Sequence, residues 1–291
     1  MTPTTLAPLI NRLCIGELLT PGEALTLARY PLPVLTAGAK KLKDHFCGDD
    51  LRLCTALPLA APGPETASIP ARETAPPVDP VLFLEKAAAA GVARCALLPG
   101  WNETLSPEDK DDAMTRQCAF AAHLSKNSPL RLCLHNCRPM AYGDLSLYKA
   151  AGITWARLDL NCAAEADRTG RRGLYAALAA GFSGCSALTL DPGDSLDARI
   201  ALLFELRDLG IRSIPIALSA AFCADGSGQL EQKKEALRAI ALCRFIIPSA
   251  DILITPELGR LFGDRRALLA AGTNGACVSL TAPESALSSP G

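Results

Sequence analysis

The sequence predicts an α/β protein built as a (β/α)8, TIM-type barrel with an N-terminal helical extension. Two observations predict it. From Asp50 onward, short runs rich in Leu, Ile and Val alternate with helix-sized segments, giving eight strands that are each separated by one helix. Strict alternation of this kind requires a parallel sheet, and eight units in a chain of this length favour closure into a barrel. The second observation is negative: no G-x-G-x-x-G follows an early strand and no G-x-x-x-x-G-K-S/T occurs. Both phosphate-binding openings of open α/β sheets are therefore missing, which disfavours the alternative, a doubly wound open sheet.

The bulk properties fit that class. The chain has 291 residues, 49% of them hydrophobic and 20% charged, with a formal net charge of -1. A core of ordinary size can be buried. No basic stripe suggests nucleic acid, and no polybasic or amphipathic segment suggests a membrane surface. No apolar run reaches the roughly 18 residues of a membrane span. The opening MTPTTLAPLINRLC lacks the features of a signal peptide, so a cytoplasmic location is expected.

Taken in order, residues 1–46 form the helical extension. Thr20-Pro21-Gly22-Glu23 has the pattern of a capping box, with Thr as cap, Pro in the first helical position and Glu three residues on. A helix from Pro21 to about Tyr30 should follow, broken by Pro31 and Pro33, and Leu35 to Phe46 should form another. The barrel occupies 47–280. Its first strand is Asp50–Thr55, followed over 58–80 by a Pro/Ala-rich stretch of loop composition, either a lid or a disordered loop. Helix 80–91 then leads to strand 92–98, helix 107–126 to strand 130–135, and helix 143–151 to strand 153–160. Helix 170–181 leads to strand 185–190, helix 195–209 to strand 211–218, helix 229–243 to strand 250–255, and helix 256–270 to a last strand, 275–280. Residues 281–291 are a flexible tail.

Twelve cysteines without a single CxxC pair exclude zinc ribbons and fingers. With no export signal the cysteines do not read as a disulfide framework. Each is either a small buried hydrophobe or part of a site assembled from separate strands. Side chains alternate along a strand, and the leucine-rich face should meet the helices. The inward set expected on this basis is Arg52 and Cys54, Cys95 and Leu97, then Arg131, Cys133 and His135. Arg157, Asp159 and Asn161 follow, and the fifth strand adds Cys185, Ala187, Thr189 and Asp191. Four strands thus offer an inward cysteine: Cys54, Cys95, Cys133 and Cys185. Converging thiolates suit an iron–sulfur cluster or zinc. Arg131 or Arg157 would balance the charge, Asp159 either joins the site or only pairs with Arg157, and His135 is a polar lining residue or a ligand. Cys137, just past its strand, is an alternative ligand.

The run from Cys185, CSALTLDPGDSLDARIALLFELRDLGIRSIPI, resembles a biotin synthase segment that opens CSGGI, carries a Gly-Glu and an Asp-Arg pair, and ends in a VPIN-like strand. EALRAIALCRFIIPSADILI and LHNCRPMAYGDLSLYKAAGITWARLDLN resemble two further segments of that family, in the same order. The resemblance spans roughly residues 20–280. It implies a radical S-adenosylmethionine barrel whose auxiliary cluster, a sulfur source, is held by cysteines on strands 2, 3 and 5 and an arginine on strand 7. Carried over, these positions are Cys95, Cys133 and Cys185, with the arginine position near Leu253. Cys54 would then complete an all-cysteine site suited to 4Fe–4S in preference to 2Fe–2S.

The family's CxxxCxxC is absent, because the loop CTALPLAAPGPETASIPARET holds one cysteine. The cofactor-holding motif is indistinct in ALLPGWNE, and the VPIN asparagine is missing from SIPIALS. The resemblance thus implies a degenerate member with a single cluster and no S-adenosylmethionine site, acting as an accessory, sulfur-donor or partner subunit. Its partner would be a complete radical enzyme or a second copy. The alternatives are a divergent active enzyme of the same family, a metal-free barrel enzyme using Arg131, His135, Arg157, Asp159 or Asp191, and a scaffold.

Overall fold

The computed structural model describes residues 6–59, 79–99, 107–135, 140, 142–160, 162, 168–224 and 228–278. Three helices come first: α1 (Ala7–Cys14), α2 (Pro21–Leu27) and α3 (Leu32–Cys47). Strands and helices then alternate: β1 (Arg52–Leu59), α4 (Pro80–Ala89), β2 (Val92–Pro99), α5 (Pro107–Asn127), β3 (Arg131–His135), α6 (Tyr142–Ala150), β4 (Trp155–Arg157) and α7 (Arg168–Ala179). Next come β5 (Ser183–Cys185), β6 (Leu188–Leu190), α8 (Leu196–Asp208), β7 (Ser213–Leu218), α9 (Ala220–Ala224) and α10 (Gln229–Ile246). The last elements are β8 (Asp251–Ile254), α11 (Pro256–Phe262), α12 (Arg266–Ala270) and β9 (Gly275–Cys277). The strand order is β5-β4-β3-β2-β1-β9-β8-β7-β6, with β5 also paired to β7. Every strand pair with a resolved register is parallel. This is the topology of a (β/α)8-type barrel with an N-terminal helical extension.

The chain divides into two compact units. One comprises 1–52, 159–171 and 184–277, the other 53–158, 172–183 and 278–291.

In the first unit the helical extension follows its sequence signals. Thr20 Oγ1 accepts from Glu23 N at 3.3 Å, while Glu23 Oε2 accepts from Thr20 N at 2.9 Å. Arg12 of α1 reaches Glu17 at 2.6 Å and Glu23 at 2.8 Å. The last helix of the extension starts at Leu32 rather than Leu35, because Pro33 sits in its first turn, where the missing N–H costs nothing.

Two expected elements are interrupted, each for a visible reason. The strand expected over 185–190 is split into β5 and β6. Between them Ala187 N donates to Asp159 Oδ1 at 3.1 Å, and Ser186 Oγ accepts from Leu160 N at 3.3 Å. Side chains there take the place of ladder bonds, which also confines β4 to three residues, with a lone bridge at Leu160–Leu188. The helix expected over 256–270 breaks into α11 and α12 at Gly263, whose φ is 69°. Asp264 Oδ1 then accepts from Arg266 N at 2.9 Å and restarts the helix.

The floor of this unit is organised by Arg244 of α10, which is fully buried. Its guanidinium donates to Gly272 O at 3.0 and 2.8 Å, Pro248 O at 2.7 Å, Ala250 O at 2.8 Å and Asn274 Oδ1 at 2.9 Å, and lies 3.3 Å from Cys47 Sγ. Asn274 also accepts from Ile252 N at 2.8 Å, so one arginine fixes the entries to both β8 and β9.

In the second unit β1 to β4 form a sheet with α4 packed on β2. The first strand runs on to Leu59, two residues into the stretch expected as loop from 58; the rest of that loop and the tail 281–291 lie outside the described residues.

Candidate functional site

Register decides which side chains share a face, because directly paired residues of parallel strands project the same way and a one-residue offset reverses them. In the second unit, Thr55 pairs with Cys95 and Cys95 with Leu132. Leu57, Leu97 and Leu134 form the next row, joined by Ala156. All seven are buried. This is the helix-covered face.

The opposite, inner face is of another character. Cys54 pairs with Arg94 and Arg94 with Arg131; Ala56 pairs with Ala96, Ala96 with Cys133, and Cys133 with Trp155; His135 pairs with Arg157. Ala56 is exposed and Ala96, His135, Trp155 and Arg157 are half-buried, although all lie on strands whose other face is closed. The two alanines therefore front open space. The Arg94 guanidinium, on a residue only 8% exposed, lies 4.5 Å from the centroid of the Trp155 ring. A cation at this distance from an aromatic face is attracted to it. The face carries Arg94, Arg131, Arg157 and His135 and no Asp or Glu among these paired positions.

Cys95 therefore does not share a face with Cys54 and Cys133. This differs from the parity expected for the second strand, and the reason lies in the sequence. The rule that sends leucine outward, applied to Leu97, sends Cys95 outward with it. Cys95 is fully buried and its thiol is pushed up to about 12 by desolvation, partly opposed by a backbone hydrogen bond from Leu57.

Cys54 is half-buried, and Cys133 is buried on the inner face. Arg131 is exposed at the start of its strand. Cys137 and Asn161 lie outside the described residues. The remaining candidates belong to the first unit. Cys185 is buried and pairs with Ser213, which pairs in turn with Asp251. Asp159 is held by Ala187 N. Asp191, at the exit of β6, accepts from Gly193 N at 2.9 Å, and that bond, followed by one from the Ser219 hydroxyl, lowers its pKa. Among the described residues no group of three or more His, Cys, Asp or Glu side chains is placed to hold a metal ion. The thiol set implied for an auxiliary cluster thus does not fit as placed, since Cys95 projects through the wrong face of its sheet. Sequence reasoning missed Arg94 and Trp155. Both were accessible to it, because Arg94 is a charge in mid-strand and Trp155 is two residues from Arg157.

The fold is a parallel α/β barrel that solved structures of low sequence identity share. Methylornithine synthase superposes with a TM-score of 0.67 at 16% identity, over 92% of this chain and 85% of that one. The FeFe-hydrogenase maturase HydG from Carboxydothermus hydrogenoformans does so with a TM-score of 0.66 at 16% identity, over 94% of this chain and 70% of that one. In sequence the chain is distantly similar to biotin synthases. It is 25% identical to biotin synthase from Akkermansia muciniphila over 290 residues, 92% of this chain and 89% of that protein. Against biotin synthase from Heliobacterium modesticaldum the identity is 44% over 81 residues, 27% of this chain and 25% of that protein. No family model matches the sequence. Among the described residues no helix is long and apolar enough to cross a membrane.

Proposed function

We propose that the protein is a divergent enzyme of the biotin synthase lineage that works on a small molecule at the inner face of β1–β4 and does not generate its own radical from S-adenosylmethionine. The observation that carries this reading is the composition of that face: cations, an aromatic ring and thiols around two solvent-facing alanines, with Cys95 turned away from them. Absence of CxxxCxxC from the sequence supports the second half of the reading, since three closely spaced thiolates are needed to leave one iron open to the cofactor. In this reading Arg94 and Arg157 orient the substrate, and His135, Cys54 and Cys133 line the site.

A second reading is favoured by one observation: Cys54 and Cys133 do share a face. In it the protein holds a single iron–sulfur cluster and serves a complete radical enzyme as accessory or sulfur-donor subunit. Anaerobic reconstitution with iron and sulfide, followed by electron paramagnetic resonance with and without S-adenosylmethionine, separates the readings. The first expects no cluster signal; the second expects a cluster signal that the cofactor leaves unchanged. A signal that shifts on adding the cofactor overturns both.

A further inference from the structure

We propose that the cleft between α1 and α2 binds an uncharged amphiphile, an aliphatic chain of medium length ending in a carbonyl. The cleft lies wholly within the first unit, and it stands whether or not the inner face of β1–β4 is a catalytic site. The packing of the helical extension leaves it open. Helix α1 packs on α3, whereas α2 packs on α8 and α10, so the two helices are held by different partners. Across the gap, Arg12 of α1 pairs with Glu23 of α2 at 2.8 Å. What remains is a cavity of about 360 Å³, lined by Leu6 and Leu9 on the α1 side and by Leu27 and Tyr30 on the α2 side. Small-molecule sites span about 300–1,000 Å³, so the volume suffices for a compact ligand.

Charge selects the head group. Arg12 pairs with Glu17 as well as with Glu23, so two carboxylates share one cation. An anionic head would meet surplus negative charge, and a cationic one would compete with Arg12 for carboxylates already bonded to it. An uncharged head avoids both costs. Hydrogen-bonding capacity narrows the class further. Glu23 Oε1 accepts from Arg12 and Oε2 from Thr20, while the Thr26 hydroxyl donates to Gly22 O at 2.9 Å. Two lining residues keep a donor in reserve: the Arg12 Nη2 and the Tyr30 hydroxyl make no hydrogen bond to any described residue. Leu6 and Leu27 are buried, and Leu9 and Tyr30 half-buried. Donors among apolar walls suit a carbonyl oxygen at the end of a hydrocarbon chain.

Octanamide, octanoate and octylamine are titrated against the full chain by saturation-transfer NMR. Octanamide is expected to bind saturably, and about tenfold tighter than either charged analogue. Gly22 lines the cleft, and a Cβ added there meets nothing within 4 Å. Gly22→Leu therefore fills the space without a clash, and should weaken octanamide about tenfold or more at an unchanged or higher thermal midpoint. Tyr30→Phe removes only the hydroxyl and should weaken it about threefold. No saturable binding of octanamide, equal binding of octanoate, or binding unchanged in Gly22→Leu or in Tyr30→Phe overturns the proposal. A second copy of the chain is the competing occupant, because Ile15 and Leu18, between the same two helices, are 78% and 62% exposed. A dimer in sedimentation velocity that Gly22→Leu dissociates would assign the cleft to that copy and overturn the proposal as well.

Discussion

Replacing Arg244 with Met removes the side chain on which the floor of the first unit depends. Met matches the length of the aliphatic stem, so packing is largely kept and the loss falls on polar contacts. Four acceptors lose their donor: the carbonyls of Pro248, Ala250 and Gly272, and the Asn274 side-chain oxygen, which keeps only Ile252 N. Each of the three carbonyls left unsatisfied costs about 1 kcal/mol at the low end of the usual range, and loss of the charged bond to Asn274 adds about 1 kcal/mol, about 4 kcal/mol together. Relief of the desolvated guanidinium, whose own pKa is lowered chiefly by burial, offsets part of this. A net loss of about 3 kcal/mol follows, or roughly 6 °C in thermal midpoint for a chain of this size. Urea unfolding followed by far-UV circular dichroism, with the thermal midpoint measured alongside, provides the assay. A loss below about 1 kcal/mol at unchanged m-value would show that the carbonyls are satisfied without the arginine, and the reasoning would fail.

Other perturbations follow from the same contacts. Gly275→Ala drives a methyl against Arg52 O and Leu253 Cδ2, so the variant should lose about 1–3 kcal/mol by urea unfolding; an unchanged midpoint would mean that Arg52 and Gly275 approach less closely than described. Thr20→Ala removes the cap that receives Glu23 N and should cost about 1 kcal/mol. The same box holds Glu23 down at about 2, first through the Thr20 backbone N–H and then through Arg12. Its stabilisation is therefore present above the ordinary carboxylate pKa and lost as pH falls towards 2, and Glu23→Gln should flatten that acid limb. At the other end, burial pushes the Cys95 and Cys243 thiols up to about 12. Stability from these thiols is full below the ordinary thiol pKa of about 8.5 and declines as pH rises towards 12. The decline in urea midpoint between pH 8 and pH 10.5 should shrink in a Cys95→Ala/Cys243→Ala double variant, and an identical decline would refute the assignment.

Much of the fold is legible in the sequence because it rests on local signals. The Thr20–Glu23 box and the β/α alternation each depend on residues adjacent in the chain, and most elements form within a few residues of their expected spans, the short helix Ala220–Ala224 excepted. What was not legible depends on distant partners. The split of the fifth strand comes from Asp159 reaching Ala187 across 28 positions, and Arg244 meets Gly272 and Asn274 only after folding. The site was half legible. Alternation places Cys54, Cys133, His135 and Arg157 on one side correctly in relation to one another. Register between strands is not a property of any single strand, and β1 and β2 slip by a residue at Leu53/Cys54. A cysteine is a poor guide to face, being as content among leucines as in a site. Leu97, two residues on from Cys95, was the better witness.

Iron and sulfide bound per chain after anaerobic reconstitution, measured for the unaltered protein beside Cys95→Ala and Cys133→Ala, tests the placement of these thiols most directly. With Cys95 on the helix-covered face and the inner face free of a cluster, all three proteins should hold the same substoichiometric iron. A full cluster in the unaltered protein that disappears in Cys95→Ala would put that thiol back inside and contradict the account.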